Sequence, residues 1–383
     1  MRTHTLFLDL PAALVEELLA RTPALARSVI AQLEERTARR AELRDQLAAL
    51  GLLARVDELP AVPTPTSCGI DGSVAVERLL AHDLLVAGAL AVEGLTPPSE
   101  QRYWPEPRHA VWVSLEPHSD ANDLLTRAMM AGLEIELAVQ APHDVVLLDG
   151  SLATPLIAFD QAARALAAQN EQPASAEHFW DSLPQRLELL LRLLDPPDHR
   201  QSWVGIPKYT SRREVASLLG LTDKIDDRAL LTSLLEPGEY TRPMPLRQAR
   251  RPHGFSILVI PAHYRAQTDH LVHKVLQRVD TLQAVYTRPH RWLPALRIEL
   301  PSATATDPQR LASVLEVVRF QSSTGALFEP FPLFLADRMI RHLRRATRAL
   351  RHAVREAASR EYPVFEEVFL ALESYRSEAF RSP

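Results

Sequence analysis

Val145-Val146-Leu147-Leu148-Asp149-Gly150-Ser151-Leu152 sets a run of branched apolar residues directly before an acid, a glycine and a serine. A run this apolar has no face for water, so it reads as a central sheet strand covered on both sides. Upstream lie SCGIDGSVAVERL from Ser67, HDLLVAGALAVEG from His82 and HAVWVSLEP from His109, each bounded by Gly, Pro or charged residues. These read as three sequential strands. Between them and the central run, residues 120–140 (DANDLLTRAMMAGLEIELAVQ) are helix formers behind an Asp/Asn start that suits an N-cap. The order β-β-β-α-β predicts a mixed sheet, hence an α/β fold with helices on its faces.

Downstream, residues 152–195 read as two helices divided around Gln172 to Ser175. WVGIPKYTSRREVASLLG then passes from strand to helix, and FSILVIPAHY, TLQAVYTR and WLPALRIELP read as an antiparallel strand group. Helices return from Asp307 onward. At the other end, residues 10–50 repeat Leu14, Val15, Leu18, Leu19, Leu25, Val29, Ile30 and Leu33 at helical spacing among Arg and Glu, predicting two or three exposed amphipathic helices. Pro60, Pro63 and Pro65 cannot lie in a helix and mark a boundary. The expected organisation is an N-terminal helical region, 1–60, and a main domain, 61–383, that includes C-terminal Arg-rich helices.

The composition excludes several classes. With 383 residues, 46% hydrophobic and 24% charged, the chain is neither fibrous nor disordered. No apolar run approaches the roughly 20 residues of a membrane helix. Asp9, Glu16 and Glu17 interrupt any signal-peptide core, so a cytoplasmic protein without membrane contact is expected. The single cysteine, Cys68, rules out an intrachain disulfide or a structural zinc cluster. A net charge of −5 confines any nucleic-acid contact to local basic patches. Nearly all basic charge is arginine, with lysine only at 208, 224 and 274.

The tripeptide Asp-Gly-Ser occurs twice in one context, as Gly69-Ile70-Asp71-Gly72-Ser73 and as Leu148-Asp149-Gly150-Ser151-Leu152. Each copy puts a carboxylate at the end of an apolar strand, where it is poorly solvated, and two together repel. A divalent cation resolves both problems, since Mg²⁺ and Mn²⁺ take oxygen ligands and two-metal phosphoryl-transfer sites gather acids around paired ions. The plainer alternative is a pair of tight turns, with Gly supplying positive φ and Ser capping the next segment. The intervening helix offers Glu134 and Glu136, about 200° apart, so one of them can face the sheet. Glu134 lies at the edge of the Leu133/Leu137 stripe and is the better placed.

This arrangement resembles the NurA nucleases, partners of the HerA hexameric translocase. The matching pieces run from about Cys68 to the C-terminal helices: GIDGS at 69–73, the Glu-bearing helix and VVLLDGSL at 145–152, GIPKYTSR at 205–212, RIELP at 297–301 and PFPLFLADR at 330–338. The resemblance implies a ribonuclease H-like mixed sheet flanked by helices. It implies a deoxyribonuclease dependent on two Mn²⁺ or Mg²⁺ ions, acting as an endonuclease and 5′ to 3′ exonuclease on single-stranded and resected DNA. It also implies a homodimer docked on a HerA-type ATPase ring, in DNA end processing or defence against phage. By position, Asp71, Asp149 and the helix acid would hold metal, and Asp337 stands where the family often has a histidine. A carboxylate there can still hold a hard cation but cannot act as a neutral imidazole.

Lys208 sits in a strand-to-helix loop beside Tyr209, Ser211, Arg212 and Arg213, where an ammonium can steady charge on a scissile phosphate; otherwise it is a surface lysine in a basic loop. Arg338, Arg341, Arg344, Arg345, Arg348, Arg351 and Arg355 recur every three or four residues. They predict one helix with an arginine stripe that grips phosphates, or else a solvated face paired with acids. Arg242, Arg247, Arg250 and Arg251 form a second basic loop.

The expected mechanism is two-metal hydrolysis with Asp71, Glu134, Asp149 and Asp337 around the ions, Lys208 at the leaving oxygen, and DNA gripped by Lys208, Arg212, Arg338, Arg341, Arg345 and Arg348. A pepsin-like pair fails because those enzymes are all-β. An actin-like ATPase fails because 12 glycines supply no phosphate-binding loops. The same absence of a P-loop means that processive action needs a motor partner, with the N-terminal helices as the expected contact. The alternative is an adaptor that keeps the nuclease-like fold to dimerise and dock on the translocase, its chemistry weakened at Asp337.

Overall fold

The central run behaves as its composition requires. Val145 to Leu148 are all buried, with Val146 and Leu148 in one apolar core and Val145 and Leu147 in another on the opposite face. The computed structural model describes residues 10–95, 102–169, 171–196, 200–208, 212–222, 225–246 and 259–374.

Among the described residues the strands are β1 (Leu53–Arg55), β2 (Ser67–Arg78), β3 (His82–Glu93), β4 (Arg108–Pro117), β5 (Val145–Asp149), β6 (Ser202–Ile206), β7 (Glu239–Thr241), β8 (Met244–Pro245), β9 (Gln283–Arg288) and β10 (Leu296–Leu300). They form one mixed sheet in the order β1-β7-β9-β10-β6-β5-β2-β3-β4, with β8 beside β9. The pairs β2–β5 and β5–β6 are parallel and the rest antiparallel.

The helices are α1 (Ala12–Ala20), α2 (Thr22–Ala49), α3 (Asn122–Gln140), α4 (Thr154–Ala167), α5 (Ala174–Leu194), α6 (Glu214–Leu218), α7 (Asp227–Leu234), α8 (Ala262–Asp280), α9 (Ser302–Thr306), α10 (Pro308–Gln321), α11 (Phe331–Ile340), α12 (Leu343–Glu361) and α13 (Phe365–Ala371). On one face α3, α4, α5 and α8 share a core with β2, β3 and β5. On the other, Leu311, Val314, Leu315 and Val318 of α10 and Leu333 of α11 cover β5, β6 and β10. This is the mixed sheet flanked by helices that the order of elements predicts. No helix among the described residues is long and apolar enough to cross a membrane.

Three local expectations are corrected. The start of α3 is not capped by a side chain: its N-cap is Ala121, and Asn122 instead turns inward to donate to Asp83 and to the Pro117 carbonyl. FSILVIPAHY is not a strand where it is described. Pro261, with φ of −53°, opens α8 at Ala262, and burial of Leu271, Val272, Val275 and Val279 favours the helix; residues 255–258 lie outside the described residues. Finally, the arginine-rich stretch is two helices, α11 and α12, interrupted at Arg341 and His342.

Candidate active site

The two Asp-Gly-Ser copies meet because their strands are neighbours in register. β2 and β5 run parallel with Ile70 opposite Leu148, so Asp71 and Asp149 leave that pairing side by side. Asp149 ends β5 as expected, but Asp71 lies inside β2, which continues to Arg78 paired with β3, so the expectation of an acid at each strand end holds for Asp149 alone. Asp149 is in turn opposite Ile206 of β6, and Lys208 follows two residues later. Lys208 Nζ lies 2.8 Å from Asp149 Oδ2, 3.0 Å from Glu329 Oε2 and 4.0 Å from Asp337 Oδ2. Asp337 comes from α11, which packs directly on β2 and β3. That approach is close because Gly69 has no side chain: a Cβ there would lie 2.5 Å from Leu333 N. On the opposite side α3 delivers Glu134, whose Oε1 would be 2.5 Å from a Cβ on Gly72. Glu136 points elsewhere, 3.7 Å from buried Arg186.

The electrostatics are those of crowded acids. Asp71 is 8% exposed. Burial first, then repulsion from Asp149, pushes its carboxyl up to about 7, with Lys208 offsetting part. Glu134 is pushed well above the usual carboxylate range by burial, then by Asp71 and Asp149. Burial likewise raises Glu329, with Lys208 opposing it. Burial works against the Lys208 ammonium, but hydrogen bonding and attraction from Asp149, then Glu329, outweigh it and hold the amine firmly protonated.

Behind the acids a buried polar group fixes the second turn. Gly150 takes φ of +104°, a conformation that favours glycine. Glu299 Oε2 accepts from Ser151 Oγ at 2.6 Å and from Leu152 N at 3.2 Å. Its Oε1 accepts from Arg297 Nε at 3.1 Å, and Arg297 also donates to Tyr286 Oη at 2.6 Å. Glu299 and Glu329 are the two acids that sequence reasoning missed. Glu299 carried the signal already used for Asp71 and Asp149, an acid on an apolar strand; Glu329, between Phe328 and Pro330, carried none.

A NurA domain model matches residues 65–341, most of the chain. The chain belongs to the NurA family. Among solved structures it is similar to the NurA nuclease from Sulfolobus solfataricus, at 13% identity over 92% of this chain and 99% of that one, with a TM-score of 0.56. It is also similar to a crystal structure of NurA with manganese, at 14% identity over 86% of this chain and 98% of that one, with a TM-score of 0.51. At these identities the likeness is one of fold. No curated protein sequence matches the chain.

Other expected contacts of this NurA chain are placed unevenly. Arg212 is half-buried on the segment after Lys208, and its carbonyl accepts from Asp227 N. Arg338, Arg345 and Arg348 are exposed, whereas Arg341 is ion-paired with Asp337. The stripe does not continue as one solvated face. Arg351 is buried with Glu77 at 2.8 Å, and Arg355 lies over the Phe369 ring, because α12 packs on β2 and α13. Tyr209, Ser211, Arg247, Arg250 and Arg251 lie outside the described residues.

The NurA donor set fits a hard divalent cation. Asp71, Glu134, Asp149, Glu329 and Asp337 offer carboxylate oxygens alone, and burial and mutual repulsion disfavour the ionised state of the first two. Among the described residues no three acidic, histidine or cysteine side chains already converge in ligating geometry. Lys208 occupies the space between Asp149 and Glu329 and supplies the positive charge there.

Proposed function

We propose that this chain is a DNA nuclease that hydrolyses phosphodiester bonds where β5 ends beside Asp71 of β2, with Mn²⁺ or Mg²⁺ as cofactor and two ions as the working number. The observation that carries the reading is the adjacent, in-register placement of Asp71 and Asp149 around the charged amine of Lys208. Asp71, Glu134, Asp149, Asp337 and, from the structure, Glu329 would hold the ions. Bound there, they would supply Lewis-acid chemistry, lowering the pKa of the attacking water and neutralising the departing oxygen.

The chain's own residues do the rest. Lys208, kept protonated by its neighbours, is a donor for charge that develops on a phosphate oxygen. Arg338, Arg345 and Arg348 leave three exposed guanidinium groups along α11 and α12 for backbone phosphates, with Arg212 beside Lys208. Glu299 holds the turn after Asp149 and so fixes where that carboxylate points. The manganese-bound NurA structure of like fold supports the metal class.

Single-stranded and resected DNA as substrate, a homodimer, a HerA-type hexameric ATPase as motor, a cytoplasmic setting and a role in end processing or phage defence complete the proposal. They rest on family membership and on the lack of a P-loop in this sequence.

The test is cleavage of end-labelled single- and double-stranded DNA with Mn²⁺, Mg²⁺ or EDTA, with and without a HerA-type partner. Metal-dependent cutting by the wild type and its loss in Asp71→Ala and Asp149→Ala is the expected result. A folded wild type that cuts under none of these conditions yet binds the motor overturns the reading in favour of an adaptor, for which the Asp337–Arg341 ion pair already provides a non-catalytic use of Asp337.

A further inference from the structure

Three connections tie one exposed aromatic surface to the acidic site. The antiparallel pairing of Glu299 with Gly205 brings the start of β10 to the end of β6, where Lys208 follows. Arg228 bridges the two, donating to the Ala295 carbonyl at 3.0 Å and to the Lys208 carbonyl. The β9–β10 turn therefore sits beside Lys208 and carries Trp292, which is 46% exposed. The indole is held in place: His290 stacks on it with centroids 4.7 Å apart and planes at 6°, and His290 Nε2 is itself fixed 3.0 Å from the Arg319 carbonyl. Trp292 also packs against Gly325, its Cδ1 3.5 Å from where a Cβ on that glycine would lie. From Gly325 the chain reaches Phe328, 60% exposed, and then Glu329, which pairs with Lys208. Four residues span at most about 14 Å, so both rings lie within a few nucleotides of the acids.

Large rings left in water beside a charged site have a cost that burial normally removes. Here they have a use that electrostatics cannot serve. Asp71, Asp149, Glu329 and Asp337 gather around Lys208, with Glu134 beside Asp71 and Asp149, so phosphates approaching this end of the sheet meet repulsion. Base stacking on an aromatic ring is indifferent to that field, tolerates any base sequence, and needs bases that are not paired in a duplex. A ring already immobilised by His290 and Gly325 loses little side-chain freedom on binding.

We propose that Trp292, backed by His290, and Phe328 form a stacking ledge for the unpaired bases of single-stranded DNA, leading the strand to the acids where β5 ends beside β2. The inference rests on the nuclease reading for its purpose but is testable without cleavage.

The experiment measures binding by the full chain in EDTA of a labelled oligothymidylate and of an abasic strand of equal length. Variants are Trp292→Ala, Phe328→Ala and Trp292→Phe. Each alanine variant is expected to weaken oligothymidylate binding about tenfold, with the loss unchanged by added salt, and to leave the abasic strand unaffected. Trp292→Phe is expected to restore most of the affinity. Wild-type binding that is absent or equal for the two strands, or alanine variants that bind both strands as the wild type does, overturns the ledge. Base-selective binding by a chain that never cuts leaves the ledge standing and removes the nuclease reading; cutting with base-blind binding does the reverse.

Discussion

His143 is fully buried, and its Nε2 lies 2.8 Å from Glu93 Oε1. Glu93 also accepts from the backbone N–H groups of Tyr103 and Trp104, whose rings meet the imidazole edge-on. Burial holds the imidazole below its ordinary value of 6.5, with Glu93 offsetting part. Burial would raise Glu93, but its hydrogen bonds outweigh that and hold it below 4.5. Both shifts have the same sign for stability. Below pH 6.5 the unfolded chain takes up a proton that the folded His143 refuses, and below 4.5 it takes up another that Glu93 refuses. Stability therefore falls on acidification, beginning near pH 6.5, by at most about 1.4 kcal/mol per pH unit for the histidine. Urea titrations of the wild type and His143→Gln check this: the variant should show a flatter slope between about pH 6.5 and 5, and identical slopes would remove His143 as the cause.

Elements set the active site through close approach. A Cβ on Gly69 would lie 2.5 Å from both Leu333 N and Pro332 C, backbone atoms of α11 that cannot step aside. Gly69→Ala should therefore cost about 1–3 kcal/mol in chemical denaturation and shift the helix that carries Asp337. Gly88→Ala, whose Cβ would meet the flexible ends of Leu343 and Ile340 at 3.2 and 3.4 Å, should cost less. Equal losses would contradict this account of the packing. Sequence reached this scale unevenly. The runs that became β2, β3 and β5 were legible as apolar stretches that burial demands, and β4, an edge strand with Val111, Val113 and Leu115 exposed, was legible only as a short apolar run ending at a proline. β1, β7 and β8 were not, since two or three residues carry no period and are strands only through their partners. The break between α11 and α12 was hidden for the opposite reason: no Pro or Gly marks residues 341–342, so the arginine spacing runs across it. Within the site, Asp71, Asp149 and Lys208 were visible as charges attached to strands, while Glu329 depends on how the α10–α11 connection returns to the sheet.

For the molecule as a whole, the sheet gathers at one end more negative charge than its neighbours neutralise. Asp71, Asp149, Glu329 and Asp337 face Lys208, Glu134 lies against Asp71 and Asp149, and Arg341 reaches Asp337 from outside. The fold holds this cluster together against repulsion, which is a stability cost in the absence of a cation and a binding energy in its presence. A ligand that binds the folded chain alone adds RT ln(1 + [L]/Kd), about 2.7 kcal/mol at a hundredfold excess over Kd. Mn²⁺ should therefore raise the unfolding temperature of the wild type, and EDTA should reverse the rise. Asp71→Asn should behave oppositely on two counts: it removes one repelling charge, so the metal-free variant should melt at or above the wild type, yet its response to Mn²⁺ should be much smaller. Thermal unfolding by circular dichroism reads both at once. A wild type whose melting is indifferent to Mn²⁺, or an Asp71→Asn variant that responds as fully as the wild type, would show that the acids do not act together as a cation site.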